Sequence, residues 1–277
     1  MNTFHQNKIM KKTGYANSNG TKIHFQIRGA GPPLVLLMGF GADGDVWEQH
    51  AAVYEQHFQC IILDNRGVGL SDQPKGPYTT KMMAADTIAV MDALGIQQAK
   101  VAGISMGGAI AQELAINYPS RVSCLVLIST WPIFNNYATT VYENLKKLRV
   151  TSKPEDFMEL LQLWIFAPPH YEEGLADLKE GQQGAADNPT PQTENGFNGQ
   201  LDACIHHNSV DRLHQIKVPT MVTIGSMDIF TPPPFSDILH EKIAGSVLVT
   251  FPTGGHVHHW EDLERFNKVT TEFLLAN

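Results

Sequence analysis

The ten residues Lys100-Val-Ala-Gly-Ile-Ser-Met-Gly-Gly-Ala109 decide the fold that this sequence predicts. They join a short apolar run, Lys100–Ile104, to a helical pattern over Met106–Tyr118. The pattern G-x-S-x-G centres on Ser105, where a tight strand-to-helix turn needs glycines because larger side chains would collide. A glycine-rich turn whose serine does no chemistry is the simpler interpretation. The strand before Ser105 and the helix after it favour a nucleophile.

Strand-like runs and amphipathic stretches alternate along most of the chain. The other strand-like runs are Lys22–Ile27, Leu34–Met38, Cys60–Leu63, Cys124–Ile128, Thr220–Ile224 and Val247–Phe251. The helical patterns are Val46–His57, Thr79–Leu94, Pro234–Ile243 and His259–Leu275. Most of the strands are apolar on both faces, which is typical of strands buried between two layers of helices. We therefore predict an α/β fold with a mostly parallel, doubly wound sheet.

The alternation stops in the middle of the chain. Helical patterns over Tyr137–Val150, Glu155–Phe166 and Tyr171–Gln182 are followed by a polar segment, Asp187–Gly199, that predicts a loop. We predict that residues 131–216 form a helical cap inserted after the sixth strand. Residues 1–130 and 217–277 would then form the core.

Composition limits the classes of partner. The chain has 277 residues and a formal net charge of −8, which offers no basic surface for phosphates and predicts no nucleic-acid partner. Residues 1–20 contain lysines without a following apolar segment, which predicts no signal peptide. No apolar run approaches the length of a membrane span, so no membrane partner is expected.

The cysteines indicate the redox environment. Cys60, Cys124 and Cys204 lack paired spacing, which favours free thiols in a reducing compartment, and no zinc-binding pattern is present. We expect a cytoplasmic protein. Its oligomeric state does not follow from the sequence.

Two later strands end in residues that would complete a nucleophilic site. A serine hydroxyl needs a base to activate it, and the base needs an orienting acid. Asp228 follows the predicted strand Thr220–Ile224, and His256 follows Val247–Phe251. The chain order Ser, Asp, His matches a catalytic triad built at strand ends.

Neighbouring residues compete for the acid and base roles. Asp228 could equally cap a turn, and Asp237 is a weaker candidate for the acid because it lies within a predicted helix. His258 and His259 lie beside His256, but we place them at the start of the last helix. His256 is favoured because it directly follows a flexible glycine pair.

Taken in order, these motifs resemble the α/β-hydrolase superfamily. The chain looks most like its small, capped, cofactor-free bacterial esterases and lactonases. Leu36–Asp43 resembles the family's oxyanion loop, and Asp64–Asp72 resembles its D-x-R-G-x-G-x-S turn, which we expect only to support the site. His256–Phe266 resembles the G-H-x4-E segment, with Glu261 in the acidic position. The resemblance covers nearly the whole chain, and it specifies the fold far better than the substrate.

The resemblance implies a mechanism without metal or organic cofactor. Ser105, Asp228 and His256 would be the catalytic triad, and the backbone N–H groups of Phe40 and Met106 would form the oxyanion hole.

The sequence departs from the family pattern at two positions. Met38-Gly39 stands where the family often has His-Gly, and Leu263 stands where proline is frequent. Because the oxyanion donor is a backbone group, Phe40 can serve despite the first departure. The second would affect only how the last helix begins.

An apolar pocket is predicted for a small-molecule substrate. We expect Met38, Trp131, Trp164 and Phe166 to line it, and most other cap aromatics to pack the cap onto the sheet. We place the adjacent histidines His206 and His207 on the surface.

Such a pocket favours uncharged carboxylic esters or lactones, including acyl-homoserine lactones. No arginine cluster is evident in the cap, which disfavours a dicarboxylate lactone, although Arg149 and Arg212 leave that substrate open.

Two other classes of function fit the same motifs. The same triad supports carbon–carbon bond hydrolysis and perhydrolase chemistry. A ligand-sensing signalling protein with slow hydrolysis is the alternative of a different class, because Met38–Gly41 resembles a segment of a bacterial stress-response regulator on this fold. A haloalkane dehalogenase or epoxide hydrolase is disfavoured, because those branches have Asp where this chain has Ser105.

Overall fold

A single mixed sheet of eight strands organises the part of the chain that the structure, a computed structural model, describes, residues 11–277. Residues 1–10, which belong to the segment that predicts no signal peptide, lie outside the described residues. The strands are β1 (Lys12–Ser18), β2 (Thr21–Arg28), β3 (Pro33–Leu37), β4 (Gln59–Leu63), β5 (Ala99–Ile104), β6 (Val122–Ile128), β7 (Thr220–Gly225) and β8 (Val247–Phe251).

The order of the strands confirms the predicted α/β sheet. It runs β1-β2-β4-β3-β5-β6-β7-β8. The pairs β1–β2 and β2–β4 are antiparallel, and the pairs from β4 through β8 are parallel. The carboxyl ends of β5, β6, β7 and β8 therefore meet at one edge of the sheet, where ligands bind in folds of this kind.

The helices within the described range cover both faces of the sheet and one edge. They are α1 (Glu48–Tyr54), α2 (Thr80–Ala93), α3 (Met106–Asn117), α4 (Asn136–Thr151), α5 (Pro154–Ile165), α6 (Pro168–Ala186), α7 (Glu194–Ile205), α8 (Pro234–Lys242), α9 (His258–Glu261) and α10 (Leu263–Ala276). None of them is both long and apolar enough to cross a membrane.

Alternating side chains of the central strands build two cores. On β3, Val35 and Leu37 belong to the cluster that includes apolar residues of α2 and α3. Leu34 and Leu36 belong to the cluster that includes residues of α1 and α10. Because residues in a strand alternate between faces, a strand that is apolar throughout serves both cores, and the doubly wound arrangement is confirmed.

Helices α4 to α7 lie between β6 and β7, so the helical insertion follows the sixth strand as predicted. The loop predicted over residues 187–199 is wrong in its second half, where helix α7 begins at Glu194. The Thr193 hydroxyl accepts a hydrogen bond from the Gly196 N–H over 3.1 Å and caps this helix. Treating residues 131–216 as a separate cap remains a proposal.

Strand β1 is absent from the predicted strands. It pairs with β2 through a tight hairpin at Asn19-Gly20, where both residues have positive φ values of 49° and 87°. Asn-Gly is the strongest short-range hairpin signal. The strand itself was hard to detect because it lies at the sheet edge and alternates weakly between exposed and buried residues.

Candidate active site

Ser105 occupies a strained turn between β5 and α3. Its φ of 55° and ψ of −118° place it in a region that non-glycine residues rarely adopt. A Cβ on Gly103 would collide with the carbonyl of Gly107, and a Cβ on Gly107 would collide with the carbonyl of Leu37. The Ser105 N–H donates to the Ile128 carbonyl over 2.8 Å, so the neighbouring strand β6 holds the turn in place.

Asp228 and His256 meet beyond the ends of β7 and β8. Nδ1 of His256 lies 2.9 Å from Oδ2 of Asp228, and both side chains are buried. Oδ1 of Asp228 accepts the backbone N–H groups of Phe230 and Thr231, each over 2.8 Å. Because a carboxylate only accepts hydrogen bonds, Nδ1 carries the imidazole proton and Nε2 is left as an acceptor.

Thr231 also belongs to this cluster, although no role is predicted for it from the sequence. Its hydroxyl oxygen lies 2.9 Å from Oδ2 of Asp228, 3.0 Å from Nδ1 of His256 and 3.1 Å from the Ser129 carbonyl oxygen. One hydroxyl proton serves one acceptor at a time. When it binds the Ser129 carbonyl, the hydroxyl oxygen can accept from the imidazole. The sequence does hold one indication of this role, because Thr231 carries a hydroxyl and lies three positions after Asp228, in the turn that Asp228 begins.

Two adjacent residues after β6 hold the backbones of Ser105 and His256. The Thr130 hydroxyl donates to the Ser105 carbonyl over 2.7 Å, and the Ser129 hydroxyl donates to the His256 carbonyl over 2.7 Å. The Ser129 oxygen in turn lies 3.1 Å from Nδ1 of His258. Burial, with His256 nearby, lowers the pKa of His258 to about 3, so His258 is a neutral structural support at neutral pH.

Free backbone donors lie beside Ser105. A Cβ on Gly39 would lie 3.2 Å from the Ser105 Cβ, so the loop after β3 passes directly along the serine. Within residues 11–277, neither the Phe40 N–H nor the Met106 N–H is bonded to a protein acceptor. Over the same residues the Ser105 hydroxyl makes no hydrogen bond, and hydrogen bonds of this type often form fully only with substrate.

Ser105 is only 4% exposed, and a cluster of aromatic rings packs beside Phe40 and His256. The ring of Tyr142, from α4, lies 4.8 Å from that of Phe134, 5.1 Å from that of Phe230 and 5.5 Å from that of Phe40. The Phe230 ring also lies 4.9 Å from the imidazole of His256. The surroundings of the serine are therefore compact and largely apolar.

Two of the four predicted pocket residues, Met38 and Trp131, are buried in the packed clusters. Met38 belongs to the cluster under α1 and α10, because it continues the alternation of Leu34 and Leu36. Trp131 is fully buried, with its ring 4.3 Å from that of Phe134. That these two side chains line the substrate pocket remains a proposal.

The other two predicted pocket residues are half-buried in the insertion. The Trp164 ring lies 6.4 Å from that of Tyr137. Phe166 lines a cleft of about 630 Å³ between the insertion and the loop that carries Asp228. Other residues lining this cleft are Leu163, Tyr171, Met227 and Ile229.

The predicted surface position of His207 is wrong, whereas His206 is exposed as predicted. Nδ1 of His207 lies 2.9 Å from the Thr80 hydroxyl oxygen. Burial lowers the pKa of His207 to about 4, so it is neutral at physiological pH.

Arg149 and Arg212, which leave an anionic substrate possible in the sequence, both donate hydrogen bonds to acceptors of the protein. The Arg212 guanidinium donates to the Glu113 carboxylate over 2.9 Å, and Arg149 donates to the Gln192 carbonyl over 2.9 Å. Glu113 neutralises the charge of Arg212, whereas Arg149 is held only by the neutral Gln192 carbonyl.

Glu261 ties the insertion to the turn that carries His256. Its carboxylate accepts the Gly255 N–H over 2.5 Å and the Ala167 N–H over 2.6 Å. A Cβ on Gly255 would lie 2.6 Å from the Ala167 nitrogen, so the two backbones touch. The junction of α5 and α6 is therefore fixed directly against the histidine turn.

The Asp64–Asp72 segment forms a supporting turn, as predicted. The Asp64 carboxylate accepts the N–H groups of Gly44 and Leu70 over 2.8 and 2.9 Å. Arg66 makes a bidentate ion pair with the buried Asp86.

The cysteines contribute no ligand cluster. Cys60, Cys124 and Cys204 are buried free thiols, as predicted. Across the described part of the chain, no group of three or more His, Cys, Asp or Glu side chains is arranged to hold a metal ion.

Comparison with known proteins gives consistent matches over most of the chain. A family model for the alpha/beta hydrolase fold matches residues 32–263. A protein of Azorhizobium caulinodans named putative carbamate hydrolase RutD is 28% identical over 260 residues, which are 94% of this chain and 97% of that protein.

Solved structures are similar over the same extent. The enol-lactonase from Burkholderia xenovorans has a TM-score of 0.86 at 26% identity, covering 95% of this chain and 100% of that one. An esterase from Exiguobacterium antarcticum has a TM-score of 0.84 at 26% identity, covering 94% of this chain and 98% of that one.

Proposed function

The chain belongs to the α/β-hydrolase fold family, and from this premise we propose that it is a serine hydrolase of small, uncharged carboxylic esters or lactones. One arrangement carries the proposal. Ser105 stands on a strained turn at the end of β5, and the bonded pair of Asp228 and His256 stands at the ends of β7 and β8. The similarity to an enol-lactonase and an esterase supports this class of substrate.

The chemistry follows from the positions of these groups. Nε2 of His256 takes the proton of Ser105 as the serine oxygen attacks the acyl carbon, and Asp228 holds the imidazole in the required tautomer. The Phe40 and Met106 N–H groups bind the oxyanion, each contributing about 3 kcal/mol of transition-state stabilisation. His256 then protonates the leaving oxygen as the ester C–O bond breaks. Water activated by His256 releases the acid from the acyl-enzyme.

The surroundings of the serine support a small and uncharged substrate. The aromatic rings near Ser105 would desolvate a bound anion without compensating it. Arg212 already pairs with the Glu113 carboxylate, and Arg149 is hydrogen-bonded to the Gln192 carbonyl.

A carbamate is the second candidate substrate, favoured by the similarity to the relative named carbamate hydrolase. Its carbonyl carbon presents the same geometry to the serine oxygen, and its carbonyl oxygen would use the same backbone donors. The two classes differ in their products, because the carbamic acid formed from a carbamate breaks down to an amine or ammonia and CO2. Ammonia or amine release therefore identifies carbamate cleavage.

The proposal is tested with wild type, Ser105→Ala and the exposed control Ser120→Ala. The panel contains p-nitrophenyl esters of increasing chain length, acyl-homoserine lactones, simple carbamates and diketone ring-cleavage products. We expect wild type and the control to hydrolyse short esters or lactones at equal rates. Ser105→Ala should lose at least about 1,000-fold in kcat.

Other outcomes point to the alternatives. Full activity of Ser105→Ala would reject the proposal. Turnover of the diketone alone would favour carbon–carbon bond hydrolysis. Uniformly slow turnover, together with ligand-dependent binding of another protein, would favour a sensor.

A further inference from the structure

Tyr142, on α4, brings an unpartnered hydroxyl next to Ser105. The side chain is fully buried, and among the described residues its hydroxyl has no hydrogen-bond partner of normal geometry. The Tyr142 ring packs between Phe40, which follows the glycine beside Ser105, and Phe230, which packs on His256. The Ser105 hydroxyl and the Cys204 thiol are among the groups that act on the Tyr142 hydroxyl there. An unpaired buried hydroxyl destabilises a fold by about 1–3 kcal/mol, so its presence calls for a functional or structural reason.

The ring of Tyr142 cannot easily turn its hydroxyl elsewhere. Phe134, Phe230 and Phe40 pack around it with ring centroids between 4.8 and 5.5 Å away. Phe230 is nearly parallel to it, at an interplanar angle of 26°. The aromatic packing therefore fixes the hydroxyl close to the serine.

The hydroxyl is suited to donate a hydrogen bond and not to give up its proton. Burial raises the pKa of Tyr142 well above its ordinary value, although the nearby Ser105 hydroxyl opposes this shift. Burial also raises the pKa of the Cys204 thiol. Both groups are therefore neutral at physiological pH.

We propose that the Tyr142 hydroxyl donates a hydrogen bond to the leaving-group oxygen of the substrate as the ester bond breaks. This inference rests on the proposed function. The carbon that bonds to the Ser105 oxygen carries the oxyanion, the acyl group and the leaving oxygen. The backbone donors of Phe40 and Met106 are assigned to the oxyanion. The leaving oxygen is bonded to the same carbon. It is the remaining acceptor on that carbon for a hydroxyl that lies next to the serine oxygen.

The electron balance of the step is simple. The C–O bond breaks and its electron pair goes to the leaving oxygen, which takes its proton from His256. Tyr142 keeps its proton and stabilises the charge that develops on that oxygen. Such a donor matters most for basic leaving groups, so it favours alkyl esters and lactones over activated aryl esters.

Tyr142→Phe removes only the hydroxyl, and Tyr171→Phe is the matched control. Tyr171 is a half-buried tyrosine whose hydroxyl is also unpartnered among the described residues, but it lines the cleft between the insertion and the loop that carries Asp228. Each variant is assayed on phenyl acetate and p-nitrophenyl acetate, which differ little in shape but strongly in the basicity of the leaving group. Unfolding curves are measured for both variants.

We expect Tyr142→Phe to lose about tenfold in kcat/KM on phenyl acetate while staying within about twofold on p-nitrophenyl acetate. Tyr171→Phe should be unchanged on both. Equal losses on the two esters, or no loss on either, would overturn the role of Tyr142 and leave that of Ser105 intact. Failure of the proposed function is seen separately, as persistent activity in Ser105→Ala.

Discussion

Asp228 and His256 are joined by a 2.9 Å hydrogen bond between residues that lie 28 positions apart and follow different strands. The Thr231 hydroxyl lies within 3.0 Å of both partners. Oδ1 of Asp228 is held by two backbone N–H groups. The carboxylate, imidazole and hydroxyl thus form one connected unit, which fixes the orientation of the imidazole.

Thr231→Val should weaken catalysis without unfolding the protein. Valine keeps the shape of threonine but removes the hydroxyl beside Nδ1 of His256, so the imidazole becomes less well oriented. We expect kcat to fall about tenfold, as for the loss of one buried hydrogen bond. Thr231→Ser keeps a hydroxyl and should restore most of the rate. Equal losses in both variants would assign Thr231 a packing role only.

Glu261→Ala should lower both stability and activity. It leaves the N–H groups of Gly255 and Ala167 without their acceptor, which should reduce the free energy of unfolding by about 2–3 kcal/mol. The turn carrying His256 loses its attachment at the same time. Urea unfolding and ester hydrolysis measure the two effects. The exposed Glu264→Ala is the control, and an effect of similar size there would contradict the account.

Buried neutral histidines should make the fold sensitive to acid. The pKa of His207 is about 4 in the fold, below its ordinary value of 6.5. Between these two values the unfolded chain binds more protons than the folded chain. Stability therefore falls as the pH falls through that window, by up to about 1.4 kcal/mol per pH unit for each such histidine.

His207→Gln should show a shallower dependence of unfolding free energy on pH than the wild type, measured between about pH 7 and about pH 5. The exposed neighbour gives the control variant His206→Gln, which should retain the wild-type slope. If His207→Gln also retains the wild-type slope, His207 is not a source of the acid sensitivity.

Anionic acyl groups should be poor substrates. The aromatic rings near Ser105 would desolvate a free carboxylate on the acyl group without supplying a countercharge. We expect kcat/KM for the p-nitrophenyl monoester of succinate to lie at least about tenfold below that of the butyrate ester, which has an acyl chain of equal carbon count. A preference for the succinate ester would show that a cation reaches the site.

The parts of the site that follow from short sequence segments were predictable. Ser105 is recognisable because the glycines that its strained turn needs are adjacent to it, at Gly103 and Gly107. Asp228 and His256 are recognisable because each follows a strand whose apolar run is visible in the sequence. The burial of Met38 on the same face as Leu34 and Leu36 also follows from strand alternation.

Contacts between distant segments were not predictable in the same way. The bond from Ala167 to Glu261 spans 94 residues, and the position of Tyr142 depends on how α4 packs over the sheet. Helix α7 was missed because its glycines argue against a helix. Tertiary packing explains Gly199, where a Cβ would lie 2.5 Å from the Tyr78 ring.

Covalent labelling tests the central claim most directly. The protein is treated with a fluorophosphonate, and the modified residue is identified by peptide mass spectrometry. We expect one adduct, on Ser105, with labelling abolished in Ser105→Ala and strongly slowed in His256→Ala, which removes the base. An adduct on any other residue, or undiminished labelling of Ser105→Ala, would contradict the assignment of Ser105 as the nucleophile.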